Sequence, residues 1–312
     1  MRVVFLGSGA FAIPSFEALL GAGHDLAALV TQPDREKGRG RRLGAPPLKP
    51  VAEARGVPVL QPRRVREPEA IEALRALRPD IQVVVAYGQI LPRAVIDAAP
   101  RGTVNVHASL LPRYRGAAPI QWAVARGERE TGVTTMLIDE GLDTGPTLLS
   151  AATPIGDEET ADELEPRLAR MGADLLLATL AGLERATVRP VPQDHARATL
   201  APMLRKEDGL VDWTLPAAEL AARVRGFRPW PSMTTALDGR PIKLLRARLE
   251  QAGGGGEPGE VSAVDRDGIV VAAGAGTRLR LLEVQPESRR PMNAAAFASG
   301  ARIRPGARFG GP

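Results

Sequence analysis

Asn105, His107 and Asp143 carry the side-chain types that could together move an acyl group. In Thr103-Val104-Asn105-Val106-His107 the residues alternate as in a strand, so Asn105 and His107 are expected on one face, where the strand ends. A second apolar run, 133–138, leads into Asp139-Glu140-Gly141-Leu142-Asp143-Thr144-Gly145, which is expected to carry Asp143 on a glycine-flanked loop at the same sheet edge. An amide, an imidazole and a carboxylate, meeting without a thiol or a metal, suit acyl transfer to an amine. The amide can donate to a carbonyl oxygen as that oxygen gains negative charge, a contribution of roughly 2.7 to 4 kcal/mol in comparable sites. An imidazole handles protons in the physiological range. The carboxylate can orient the ring, directly or through water, and can take the proton that an attacking α-amino group, with a pKa of about 8, must lose. No covalent intermediate on the protein is required. Taken singly, a strand-end histidine, an asparagine and an Asp-x-Gly turn all have ordinary structural uses. Their coincidence at one edge is what points to catalysis.

Elements able to position these groups can be read along the chain. Apolar β-branched runs at 3–6, 26–30, 57–60, 81–86, 103–106 and 133–138 alternate with helical patterns at 11–20, 68–77, 119–126 and 160–183. Such alternation predicts a doubly wound, Rossmann-like α/β fold with a mostly parallel sheet, whose ligands bind at the carboxyl ends of its strands. Around 187–206 the pattern stops, and Pro190, Pro192 and Pro202 break a polar stretch expected to be an interdomain linker. Beyond it a helix at 217–225 and short glycine-punctuated strands at 242–249, 259–264, 268–272 and 278–284 suggest a smaller OB-like β-barrel. The expected organisation is a catalytic domain over 1–186, a linker over 187–206 and a barrel domain over 207–312.

Composition narrows the chemistry. The chain of 312 residues is 44% hydrophobic, enough to bury a core in each of two domains. It contains no cysteine, and its histidines at 24, 107 and 195 have no metal-ligand spacing, so thiolate chemistry and a metal centre are not expected. No apolar run is long enough to span a bilayer and no signal-peptide pattern opens the chain, which predicts a cytoplasmic protein without a membrane partner. Nothing calls for more than a monomer. The net charge of +5 favours an anionic partner. Locally, the segment 34–42 sets five basic residues against two acidic ones on a glycine-rich stretch suited to closing around phosphates.

The run Asn105-Val106-His107-Ala108-Ser109-Leu110-Leu111-Pro112, with 132–145, resembles the folate-dependent formyltransferases. Ala108 stands where other members can have glycine. The resemblance implies that Asn105, His107 and Asp143 are the catalytic trio and that 10-formyltetrahydrofolate is the formyl donor. It also implies a folate site formed by Tyr87, Gly88, Gln89, Ile90 and Leu91, by Ser109, Leu110, Leu111 and Pro112, and by Asp139, Glu140, Gly141 and Leu142. Gln32-Pro33-Asp34-Arg35 with Gly38-Arg39-Gly40-Arg41-Arg42, Arg113-x-Arg115-Gly116-Ala117-Ala118-Pro119 and Phe227-x-Pro229-Trp230-Pro231 resemble the branch that formylates methionyl-tRNA. Initiator methionyl-tRNA is then the implied partner, held by Arg35, Lys37, Arg39, Arg41, Arg42 and Lys206. Arg223, Arg225, Arg228, Lys243, Arg246 and Arg248 are candidates for a second basic face.

Other readings stay open at this level. Gly7-Ser8-Gly9-Ala10-Phe11-Ala12 is a variant of the dinucleotide fingerprint, but the acid expected on the ribose is replaced by Thr31-Gln32-Pro33, with only Asp34 nearby. Ser109 with His107 and Asp143 could suggest a hydrolase, yet no GxSxG elbow is present. A non-catalytic RNA-binding module would leave the trio unused. Within the formyltransferases, an amino sugar or other small amine is the alternative acceptor.

Overall fold

The computed structural model describes residues 1–37, 42–250 and 255–310. They form two compact units, one of 1–117, 131–153 and 165–202, the other of 118–130, 154–164 and 203–312.

The first unit is built on strands β1 (Arg2–Gly7), β2 (Asp25–Val30), β5 (Val59–Leu60), β6 (Ile81–Val85), β7 (Thr103–His107), β8 (Glu130–Leu137) and β9 (Thr147–Pro154), in the sheet order β5-β2-β1-β6-β7-β8-β9. A separate two-stranded hairpin pairs β3 (Arg35–Lys37) with β4 (Arg42–Gly44). Helices α1 (Ile13–Gly21), α2 (Leu48–Ala54), α3 (Pro68–Ala76) and α4 (Arg93–Ile96) supply the connections between the early strands. Proline at the first turns of α1 and α3 costs nothing there, because those N–H groups have no helical acceptor. Strands β1, β2, β5, β6 and β7 pair in parallel, and the order reverses between β1 and β6, the position where doubly wound sheets open a crevice. Val3, Val4, Phe5 and Leu6 are buried in the middle of this sheet.

The pairing of β7 with β8 is antiparallel, which corrects one expectation about the site. The run 133–138 does not end at the same edge as His107: the Ile138 N–H donates to the Thr103 carbonyl, at the far end of β7. Segment 139–145 therefore turns back toward the His107 end, since Asp143 Oδ2 comes within 3.7 Å of the ring.

The expected linker is also part of the first unit's framework. Thr147 and Val191 bridge as an antiparallel pair and Arg115 and Leu200 as a parallel one, so the segment 191–201 is strapped along its neighbours. Prolines stop a helix here without preventing such extended pairing.

In the second unit the sheet order is β12 (Val261–Asp265), β13 (Gly268–Ala272), β14 (Arg278–Pro286), β11 (Arg240–Glu250), β10 (Met233–Leu237) and β16 (Phe309–Gly310), with β15 (Met292–Asn293) paired to β14. The sheet closes on itself, because the chain at β16 bonds on one side to β10 and on the other to the segment before β12, where the Phe309 N–H donates to the Gly259 carbonyl at 2.8 Å. Register shifts at Leu244 and Arg246 bend the long β11 as closure requires. Inside and around the barrel pack α5 (Pro119–Ala125), α7 (Ala217–Gly226) and α8 (Ala294–Ala301), while α6 (Ala161–Glu184) is the long helix of the chain. Helix α5 lies in the second unit although it was expected within the first: the Trp122 ring stands edge-on to Phe227, centroids 5.2 Å apart, and Gly226 leaves room for the backbone of Ala125. Phe227 is fully buried, so Phe227→Ala is expected to cost about 3–5 kcal/mol, read as a lower urea midpoint for the unit.

Candidate active site

His107 ends β7 with its ring buried. Its Nε2 lies 2.9 Å from the Tyr114 carbonyl. A carbonyl can only accept, so Nε2 carries the proton and, in the neutral ring, Nδ1 is the free base. Nδ1 faces Asp143 Oδ2 at 3.7 Å, beyond direct hydrogen-bond length. The ring is therefore oriented by Tyr114, and the carboxylate stands where it would stabilise an imidazolium once Nδ1 takes a proton. That same Oδ2 accepts from the Gly116 N–H at 2.8 Å. Asn105, two residues before His107, shares its face of β7, is half-buried, and its amide makes no hydrogen bond to a described residue.

Two backbone features shape the surroundings. Asp143 has φ +52°, in the left-handed region. Gly145 sits against Leu137, where a Cβ would come within 1.9 Å of the carbonyl oxygen, so only glycine fits. Inside the loop, Asp139 Oδ1 accepts from the Gly141 N–H at 3.0 Å and from Thr144 Oγ1 at 2.6 Å.

The segment 109–112 is folded on itself. Ser109 is fully buried and its hydroxyl donates to the Arg113 carbonyl at 2.6 Å, while Thr134 Oγ1 donates to the Ser109 carbonyl and accepts from the Leu111 N–H. A serine so engaged is not a nucleophile, and its side chain is not available to a ligand. Leu110, Leu111 and Pro112 are half-buried and carry what surface the segment offers.

Residues 87–91 divide in the same way. Tyr87 and Leu91 are buried in a cluster with Leu6, Val84 and Val95, and Gln89 Oε1 accepts from the Val65 N–H at 2.8 Å. Burial pushes the Tyr87 phenol up from its ordinary range, and its hydroxyl has no partner among the described residues. Gly88 has φ +80°, while Ile90 is 89% exposed. Arg93, just beyond, is held above the usual guanidinium range by its bond to Asp97 and, more weakly, by the Glu140 charge. Leu142 is 62% exposed.

The fingerprint-like turn after β1 is filled by protein. Ser8 Oγ accepts from the Gln32 N–H at 3.0 Å and from Thr31 Oγ1, and donates to the Tyr87 carbonyl. The hydroxyl that would face a pyrophosphate is spent on cross-strand bonds.

Among the expected basic contacts, Arg35 is exposed at the start of the hairpin, its Nη2 donating to Gln32 Oε1 at 3.1 Å, and Lys206 is exposed in the second unit. Arg39 and Arg41 lie outside the described residues, as do the side chains of Lys37 and Arg42. The second basic face is largely neutralised: Arg223 pairs with Glu219 at 2.6 Å, Arg228 with Asp162 at 3.5 Å and Arg246 with Glu163 at 3.3 Å. Arg225 donates to the carbonyls of Gly156 and Glu159, beneath acidic residues 157–159. Lys243 and Arg248 are exposed. Among the described residues no group of three or more His, Asp or Glu side chains could hold a metal ion.

Sequence reasoning missed Gln193 and the role of Arg115. Arg115 is buried and donates from Nε and Nη2 to Gln193 Oε1, at 3.1 and 2.7 Å. A buried arginine is not announced by its neighbours in sequence; the composition of 187–202 signalled only the absence of a helix.

Comparison with known proteins agrees with this layout. Residues 1–180 match the family described as Formyl transferase, and 203–302 match Formyl transferase, C-terminal domain. A methionyl-tRNA formyltransferase of Solibacter usitatus is 53% identical over 97% of this chain and 96% of its own length. An N-formyltransferase from Helicobacter canadensis, solved with folinic acid and dTDP-3-aminofucose, has the same fold at 16% identity, covering 91% of this chain and 98% of that one with a TM-score of 0.68. HypX from Aquifex aeolicus, solved with tetrahydrofolic acid, shares the fold at 19% identity and TM-score 0.62, over 96% of this chain and 47% of that longer one. With both family regions matched in order and the likeness running through nearly the whole length, the chain belongs to the formyl transferase family.

Proposed function

We propose that the chain transfers the formyl group of 10-formyltetrahydrofolate to the α-amino group of initiator methionyl-tRNA, a step of translation initiation in the cytoplasm. The observation that carries this reading is the end-to-end likeness, at 53% identity, to a protein named methionyl-tRNA formyltransferase, in which the second unit is matched along with the first. Acceptors such as amino sugars are the lesser reading, because the sugar-formylating neighbour shares this chain's fold at only 16% identity.

In this reading 10-formyltetrahydrofolate supplies the formyl carbon, and the protein provides positioning and charge. Residues 87–91 and 139–142, with Leu110, Leu111 and Pro112, border the place of its ring system in this reading. The Asn105 amide donates to the formyl oxygen as the amine nitrogen bonds to the formyl carbon. His107 Nδ1 takes the proton leaving that amine, and the Asp143 carboxylate balances the imidazolium. The bond from the formyl carbon to the folate N10 breaks as this proton passes to N10, leaving formyl-methionyl-tRNA, tetrahydrofolate and a neutral ring. Arg35, Lys37, Arg39, Arg41 and Arg42 of the segment 34–42, and Lys206, hold the tRNA through its phosphates, contacts that position without reading sequence. The enzyme is proposed to work as a monomer.

The reading is tested with formyl-labelled donor offered methionyl-tRNA, free methionine and a panel of amino sugars. Label is expected on methionyl-tRNA at a kcat/KM at least about 10³-fold above any small amine, since binding energy from remote parts of a substrate is spent at the reacting centre. Comparable labelling of an amino sugar would overturn it.

A further inference from the structure

The carbonyls on either side of Thr144, those of Asp143 and Gly145, both accept from Gln193 Nε2, at 2.9 and 2.6 Å. Gln193 is 8% exposed, and its amide is fully used: two hydrogens given to the loop, two bonds received by Oε1 from Arg115. Arg115 is 6% exposed, and its Nη1 donates to His195 Nδ1 at 3.2 Å, which fixes that nitrogen as the unprotonated one, since a guanidinium only donates. The Arg115 backbone is clamped as well, its N–H on the Thr199 carbonyl and its carbonyl on the Ala201 N–H. A rigid path therefore runs from the strap 191–201 through Arg115 and Gln193 to the loop that carries the carboxylate. That loop needs holding: Asp143 sits at φ +52°, and such a backbone persists only when its surroundings over-determine it. The gap it governs is short, 3.7 Å from Asp143 Oδ2 to His107 Nδ1.

We infer that Gln193, steadied by Arg115, is a positioning residue that sets the Asp143 loop at its working distance from the His107 ring. The inference rests on the catalytic reading of Asp143 given above. Neither residue touches substrate; each acts through the backbone behind the carboxylate. A displacement of about an ångström at a reacting group costs on the order of 10²-fold in rate, so a partial release of the loop is expected to register in kcat.

Gln193→Glu isolates the tether. A carboxylate keeps, and strengthens, the two contacts from Arg115 but has no hydrogen to give the Asp143 and Gly145 carbonyls. Formylation kinetics are measured for Gln193→Glu alone and in an Asp143→Asn background, with Arg115→Lys, which keeps the buried cation and loses the fork, treated the same way. Each variant is expected to lower kcat by about tenfold or more with both KM values within about threefold, yet to change kcat by less than about twofold once Asp143 is already asparagine, because residues acting through one group are not additive. An unchanged kcat, or an equal loss in both backgrounds, overturns the inference and leaves Gln193 a general support of the fold. If Asp143→Asn alone retains full kcat, it is the catalytic reading of Asp143 that fails, and this inference falls with it.

Discussion

Replacing Asn105 by alanine is expected to lower kcat for formyl transfer by roughly 10²- to 10³-fold, the range seen when one donor to a developing oxyanion is removed. The expectation follows from how the residue is held. Its backbone lies in β7 between Val84 of β6 and Met136 of β8, so the strand is fixed from both sides whatever the side chain. Its amide bonds to no described residue, so truncation leaves no protein group unpaired and the fold should survive. Single-turnover transfer and tRNA affinity, measured on the same preparation, separate catalysis from binding: transfer should collapse while affinity stays within about twofold. A loss below about threefold would show that the formyl oxygen is stabilised elsewhere.

The second large effect is expected at the carboxylate. Asp143→Asn keeps an oxygen for the Gly116 N–H, which Oδ2 now accepts at 2.8 Å, so the loop has no reason to move, but the negative charge beside His107 is gone. With Nε2 committed to Tyr114, the ring must take its proton at Nδ1, directly opposite that charge. Loss of a positioned proton-handling partner costs about 10²- to 10⁴-fold. His107→Ala is expected in the same range, and the double variant should be scarcely worse than either single one, because the two groups act as a unit. Multiplying losses would mean that they serve separate steps.

Much of this arrangement could be read before any coordinates. The alternation in 103–107 places Asn105 and His107 on one face because strand side chains alternate strictly, and the long amphipathic pattern at 160–183 becomes α6 almost residue for residue. The elements that escaped notice have weak local signals. Strand β9 is Thr-Leu-Leu-Ser-Ala-Ala-Thr-Pro, without alternation, and α8 is Ala-Ala-Ala-Phe-Ala-Ser-Gly-Ala, whose helix is fixed by Asn293 capping the N–H groups of Ala295 and Ala296. The direction of β8 was beyond local reading altogether, since parallel and antiparallel partners demand the same kind of apolar run. For Asp143 the sequence expected a strand ending beside His107, whereas β8 ends at the far end of β7 and the Asp143 carboxylate still comes within 3.7 Å of the ring. Ser109 illustrates the opposite case, a motif residue whose visible chemistry is turned inward to close a turn.

The strap has a bearing on modularity. A fragment cut after residue 186, where helical periodicity ends, would contain every proposed catalytic side chain and yet lack Gln193, the group that receives the Arg115 fork and grips the carbonyls of Asp143 and Gly145. The last segment of the first unit extends to Pro202. Any truncation before that proline separates the proposed catalytic side chains from the segment that holds their loop.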